Sequence, residues 1–233
     1  MYGSNNYNEY GYISTRESNS FIRKAFLHSI GGVLCSAIVA VYLLFFNRSL
    51  FYSLGQAFYI VPIVQVGIAL VMGIFLSKLS AASATVLYYA YAAFTGVTFA
   101  MIGVIYTGSS ILIALTVTLT LFILLSVYGY TTKEDLSQYG GFLKMGLLAI
   151  IILSIANLLL KTSFLYWGIT VAAVVIFTGL IAYDVNRIKR LSTELVNTDP
   201  DVRDKLGIMM AFHLYLDFVN LFIYILRIVG KRR

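Results

Sequence analysis

The chain has 233 residues, of which 60% are hydrophobic and 12% are charged, and its net charge is +7 at pH 7. Soluble domains carry about 25% charged residues, so this composition excludes an ordinary soluble domain and indicates a membrane protein. The net charge does not indicate a nucleic-acid partner, because the Lys and Arg residues flank apolar runs instead of forming one patch.

Apolar runs of roughly 20 residues recur along the whole chain, and each is long enough to cross a hydrocarbon core of about 30 Å. They predict an all-α membrane protein that has the lipid bilayer as its partner and leaves no room for a soluble domain. We therefore expect one transmembrane domain at residues 21–233, with seven helices at 25–46, 57–76, 84–106, 111–130, 142–160, 164–186 and 207–229.

The N-terminal segment, residues 1–20, is polar and rich in Tyr, Asn, Gly and Ser. It lacks the basic start and the early apolar stretch of a signal peptide, so we predict a flexible tail. The single cysteine, Cys35, lies inside the first apolar run. It excludes an intrachain disulfide and indicates no metal cluster.

Lys78 ends the second apolar run, in the segment GIFLSKLSAAS. A lysine at such a position commonly extends its ammonium group to the lipid headgroups. The alternative interpretation is that the ammonium competes for a buried carboxylate and acts as a latch.

Asp184 ends the sixth run, after FLYWGITVAAVVIFTGLIAY and before VNRIKRL. One interpretation is an interfacial residue that balances the nearby Arg and Lys side chains. The other interpretation is a membrane carboxylate that acts together with Asp217.

Asp217 is the only acidic residue well inside an apolar run, about 15 Å from the start of its helix. An ionisable side chain at that depth costs roughly 3 kcal/mol on insertion scales, so such a residue is a functional-site candidate. His213 and Asn220 share its helical face. These residues predict either a polar seam that hydrogen-bonds to neighbouring helices or a titrating group in an ion path.

Two carboxylates that share a poorly solvated site cannot both ionise cheaply, so Asp184 and Asp217 would titrate as a unit and sense pH. When ionised, the pair can attract a hard cation such as calcium, which prefers oxygen ligands. Two carboxylates do not make a tight calcium cage, so we expect transient binding of calcium or protons along a path. No cofactor motif is present, and no cofactor is expected.

Four segments resemble the Bax inhibitor (transmembrane Bax inhibitor motif, lifeguard-like) family in their order and spacing. They are AFTGVTFAMI in the third run, SVYGYTTKEDLS after the fourth, IAYDVNRIK in the sixth and LYLDFVNLFIYILRIVG at the C-terminus. The resemblance covers nearly everything from residue 20 onward, and VYGYTTKEDLS looks especially like the bacterial branch.

The resemblance implies a seven-helix fold in which the last helix is central and the other six wrap around it. It also implies a pH-sensitive calcium leak whose sensor is the aspartate pair, here Asp184 and Asp217. In that family, a basic residue late in the second helix is the latch for this pair. Counting back from the TG of the third run without a gap places Lys78 at that position. Some family members carry arginine there, and lysine lacks the planar fork that suits a carboxylate.

Two other hypotheses compete with a cation leak. An intramembrane aspartyl protease also has a YD motif, like Tyr183-Asp184, but its second aspartate follows a Gly-rich segment. Asp217 lies instead between the bulky Leu216 and Phe218, so we predict that the protein is not an enzyme. The remaining alternative is a regulator that binds and modulates a membrane protease or the stress or cell-death machinery without transporting ions.

Basic residues also predict the orientation. With the N-terminus in the cytoplasm and seven full spans, 11 Lys and Arg residues lie inside and 6 outside. A re-entrant last run would improve this division to 15 and 2, but residues 207–229 are long enough to cross. We predict seven spans in the bacterial inner (plasma) membrane, with a cytoplasmic N-terminus.

Overall fold

Long apolar helices make up most of the chain, because a backbone inside a bilayer has to satisfy its own hydrogen bonds. The structure is a computed structural model that describes the backbone of residues 4–56 and 59–233 and the side chains of residues 16–53 and 59–233. The α-helices in those ranges are α1 (Ser4–Val41), α2 (Arg48–Gln56), α3 (Ile60–Phe75), α4 (Ala81–Ile105), α5 (Gly108–Thr131), α6 (Gly140–Leu160), α7 (Ser163–Glu194) and α8 (Pro200–Val229).

Seven helices in the described part of the chain are long and apolar enough to cross a membrane, which confirms the predicted all-α fold. The helix α2 has 9 residues and is too short to cross. The last helix, α8, continues without a break from Pro200 to Val229, as a full span requires. In the most apolar 18-residue stretch of α8, 67% of the residues are buried inside the protein. In the corresponding stretches of the other six helices, the buried share is 11% to 39%.

The first helix begins well before the first apolar run. It starts at Ser4 and thus includes most of the segment that we predicted to be a flexible tail. Two contacts hold the end of this segment: Glu17 pairs with Arg203 at 2.9 Å, and the Ser18 hydroxyl lies 2.8 Å from that of Ser192. Residues 1–3 lie outside the described residues, and the division of the chain at residue 20 stays a prediction.

Contacts divide the chain into two units, and the boundaries fall inside helices α4, α7 and α8. Unit 1 comprises Met1–Ile102 and Ile188–Tyr215, and unit 2 comprises Gly103–Arg187 and Leu216–Arg233. Unit 1 therefore contains α1 to α3 and most of α4, with the end of α7 and the first half of α8. Unit 2 contains the last residues of α4, all of α5 and α6, most of α7 and the second half of α8.

In unit 1, a hydroxyl network joins α8 to α1 and α4. The Ser36 hydroxyl lies 2.7 Å from that of Tyr215 and 2.8 Å from the Ala92 carbonyl oxygen, so Tyr215 donates to Ser36 and Ser36 donates to the carbonyl. The Tyr88 hydroxyl donates to the His28 carbonyl oxygen at 2.7 Å. Because buried hydroxyl groups are costly without partners, these bonds select one register of the three helices.

Candidate functional site

In unit 2, Asp184 lies in a segment of α7 that is buried on every face. All residues from 180 to 186 are buried, and Asp184 itself is only 5% exposed. A helix that is buried all round is surrounded by other elements. Asp184 is therefore packed inside the protein, and the interpretation of it as an interfacial residue that balances nearby Arg and Lys stays untested.

Asp217 lies in the second half of α8 and is also 5% exposed. Its carboxyl group is hydrogen-bonded to that of Asp184. Its Oδ2 atom is buried and has no hydrogen-bond partner within the described residues. The structure thus brings together the two carboxyl groups that the sequence analysis selected, and we refer to Asp184 and Asp217 as the carboxyl pair.

The chemistry of the carboxyl pair follows from this contact. A carboxylate can only accept hydrogen bonds, so a bond between two carboxyl groups requires that one of them keeps a proton. When that proton leaves, the bond is replaced by repulsion between two negative charges that are poorly screened. The ionised pair offers carboxylate oxygens, the ligands that hard cations prefer.

In the part of the chain that the structure describes, the carboxyl pair is not part of a larger cluster of His, Cys, Asp or Glu residues. Within the described ranges, no group of three or more His, Cys, Asp or Glu residues is placed to hold a metal ion. Calcium takes six to eight oxygen ligands in a stable protein site. The transient calcium binding that the sequence suggested for the pair stays a prediction.

Asn186 holds the loop after α5 against α7, a role that was not predicted from the sequence. It is 3% exposed. Its Nδ2 atom donates to the carbonyl oxygens of Gly129, at 3.2 Å, and Glu134, at 3.4 Å, while its Oδ1 accepts from the Leu136 amide at 3.4 Å. The only sequence signal was a single Asn in the YDVN segment beside Asp184, and that segment does not reveal its partners.

Two glycines let neighbouring segments approach α7 just before Asp184. A Cβ atom on Gly129 of α5 would collide with the Ala182 carbonyl oxygen, and one on Gly140 of α6 would lie 2.7 Å from the Tyr183 ring. Small residues allow helices in membranes to pack closely. The glycines of VYGY and QYGG therefore bring α5 and α6 against the Ala182-Tyr183-Asp184 segment.

The other predicted site residues are placed differently. Asn220 donates from Nδ2 to the Leu216 carbonyl oxygen of its own helix at 2.8 Å, so that bond stays within α8. His213 is partly buried in the unit 1 portion of α8. Lys78 is exposed in unit 1, and its ammonium nitrogen lies 5.6 Å from the centroid of the Phe75 ring. The latch role of Lys78 stays a prediction.

Comparison with known proteins gives a consistent family match. The family described as inhibitor of apoptosis-promoting Bax1 matches residues 18–233. An uncharacterized protein of Borreliella burgdorferi is 40% identical over 219 residues, which is 92% of this chain and 93% of the relative. The inner membrane protein YbhL of Escherichia coli K12 is 39% identical over 211 residues, 87% of each chain. An uncharacterized membrane protein of Streptococcus pyogenes is 32% identical over 220 residues, 91% of this chain and 93% of the relative.

Proposed function

Because the chain belongs to the Bax inhibitor family, we propose that it is a pH-sensitive cation leak, a channel or transporter for which calcium is the favoured ion. The observation that carries the proposal is the carboxyl pair. It is buried, it is joined by a hydrogen bond, and it lies on two helices that are apolar enough to cross a membrane.

The pair acts as the pH sensor because its two protonation states differ in both charge and contact. With one shared proton, α7 and α8 are held together in unit 2 by the bond between Asp184 and Asp217, and the site is less negative. Without it, the two carboxylates repel each other and attract a cation. Protons and calcium ions therefore compete for the same oxygens.

The membrane is the bacterial inner membrane, with the N-terminus in the cytoplasm. The apolar helices support a membrane location, and a relative with 39% identity is named an inner membrane protein. The orientation follows from the excess of Lys and Arg on the predicted inner side.

Lys78 is the latch candidate. While the carboxyl pair holds a proton, its smaller negative charge attracts the Lys78 ammonium group only weakly. When the pair is ionised, the ammonium group can approach it as a latch.

The direct test is calcium flux into liposomes that contain the purified protein, measured as a function of pH. The wild type is compared with the double variant Asp184→Asn, Asp217→Asn. A matched control is Glu194→Gln, which removes one negative charge from an exposed position on the same helix α7. We expect the double variant to change the flux and to lose its pH dependence, and the control to behave as the wild type.

Unchanged flux and pH response in the double variant would remove the carboxyl pair from the mechanism. No flux above that of empty liposomes at any pH, from protein shown to be folded and inserted, would leave the regulator as the better hypothesis. In that case the protein acts by binding a membrane protease or the stress or cell-death machinery. Cleavage of a peptide substrate within the membrane would instead contradict the prediction that the protein is not an enzyme.

A further inference from the structure

A second feature of unit 2 is a cavity at the C-terminal end of α8. Its volume is about 250 Å³. This is slightly below the range of about 300–1,000 Å³ that holds drug-sized ligands, so it suits a small polar group attached to a larger molecule. The residues that line it include Ser154, Asn157 and Leu158 of α6, Tyr166 and Ile169 of α7, and Arg227 of α8.

Arg227 is held in the cavity wall by two aromatic rings. Its guanidinium carbon lies 4.7 Å from the centroid of the Tyr224 ring and 5.6 Å from that of Tyr166. These cation–π contacts stabilise the charge and fix the side chain. They supply no oxygen acceptor, so the five N–H donors of the guanidinium group remain suited to an oxygen-rich anion.

This end of unit 2 carries positive charge without acidic residues. The sequence has no Asp or Glu between Asp135 and Asp184 or after Asp217, and Asp217 is about 15 Å from Arg227 along α8. The basic C-terminal segment is fixed nearby on the turn between α4 and α5. There the Thr107 amide donates to the Lys231 carbonyl oxygen at 3.1 Å. A site with one sign of charge attracts a ligand of the opposite sign.

The cavity lies beside a surface that suits lipid chains. At the end of α6, Leu158 and Leu159 are 73% and 83% exposed, and Phe164 at the start of α7 is 91% exposed. Tyr166 and Trp167 lie two and three residues further along the chain, and Tyr and Trp are enriched where a membrane meets water. A ligand can therefore enter from the bilayer with its polar group at the level of Arg227.

We propose that this cavity binds the phosphate group of an anionic phospholipid. Arg227 is the phosphate ligand, because its planar fork matches two phosphate oxygens. The Oδ1 atom of Asn157 accepts a hydrogen bond from the Thr162 amide at 3.1 Å. This bond orients the Asn157 side chain and leaves its Nδ2 atom as a further donor to the phosphate. Ser154 adds a hydroxyl group to the same wall, and the apolar residues contact the first part of the acyl chains.

Native mass spectrometry of the purified protein in detergent, titrated with phosphatidylglycerol, tests the proposal. Arg227→Gln should weaken binding about tenfold or more, because it removes a charge-assisted bidentate contact. Ser154→Trp should weaken it comparably by filling the cavity without a change of charge. The matched control is Lys161→Gln, which removes an exposed cation from the same end of unit 2 but not from the cavity. It should bind within about twofold of the wild type.

Several results would overturn the proposal. Equal phosphatidylglycerol binding by the wild type and Arg227→Gln would exclude Arg227 as the ligand. Equal binding by Ser154→Trp would place the lipid outside the cavity, and an equal loss in Lys161→Gln would show a diffuse charge effect. Phosphatidylethanolamine binding as tightly as phosphatidylglycerol would exclude selection for an anion. Displacement by millimolar inorganic phosphate would show that the site takes the free ion and not a lipid.

Discussion

Asn186→Ala is the substitution that most directly tests how the surroundings of the carboxyl pair are built. The alanine side chain removes one bond of 3.2 Å and two of 3.4 Å, and it leaves the Gly129 and Glu134 carbonyl oxygens and the Leu136 amide without this partner. Each unsatisfied buried group costs about 1–3 kcal/mol. Two of the bonds are long, so the lower end of that range applies to them.

One group at about 1–3 kcal/mol and two at about 1 kcal/mol each should lower the free energy of unfolding by about 3–5 kcal/mol. The measurement is reversible unfolding in mixed micelles of mild detergent and SDS, followed by far-UV circular dichroism. Asn220→Ala is the matched control, because its side-chain amide bonds only one turn back, to the Leu216 carbonyl oxygen. That bond is in addition to the helical hydrogen bonds of the backbone, so its loss should cost less than about 1 kcal/mol.

A loss of stability in Asn186→Ala no larger than that in Asn220→Ala would refute the reasoning. It would mean that the loop after α5 is held by its own contacts and that the Asn186 bonds add nothing. Calcium flux measured on the same preparation extends the test. If the loop fixes the position of Asp184 in α7, the calcium flux of the variant should also respond to pH over a broader range than that of the wild type.

Three further predictions concern the packing and chemistry of the two units. Gly129→Ala should destabilise the protein by about 1–3 kcal/mol in the same unfolding assay, because its Cβ meets the Ala182 carbonyl oxygen; Gly141→Ala, where the Cβ meets open space, should not. Tyr215→Phe should cost about 1 kcal/mol, since it removes only the hydroxyl that donates to Ser36; a cost near zero would contradict the network. Calcium added to weakly buffered protein should release protons from the carboxyl pair, and the double Asn variant should release none by pH-dye measurement.

The seven helices were predictable because hydropathy is a local property. Each run such as 142–160 shows its length and its apolar character without reference to the rest of the chain. The extension of α1 back to Ser4 was not predicted. Polar residues such as those of the first segment form a helix or a tail depending on what they contact, and the contacts of Glu17 and Ser18 come from residues more than 170 positions away.

The site could be predicted in part for a similar reason. A carboxylate inside an apolar run is costly wherever its helix lies, so Asp217 was identifiable from its position alone. Asn186 was not, because an amide at the end of a run has many potential partners. Its selection of the Gly129 and Glu134 carbonyl oxygens depends on how closely α5 approaches α7.

By itself, the sequence determined that the chain is a seven-helix membrane protein with one acidic residue inside an apolar run and another at the end of a run. It could do so because a helix in lipid has to be apolar along its length, so a charged residue there is conspicuous. Only the tertiary structure decided that the carboxyl groups of Asp184 and Asp217 share a hydrogen bond and that Arg227, which contacts two tyrosine rings, lines a cavity. Those contacts depend on helix rotation and on distances of a few ångströms between residues far apart in the chain. Spacing along a sequence does not contain that information.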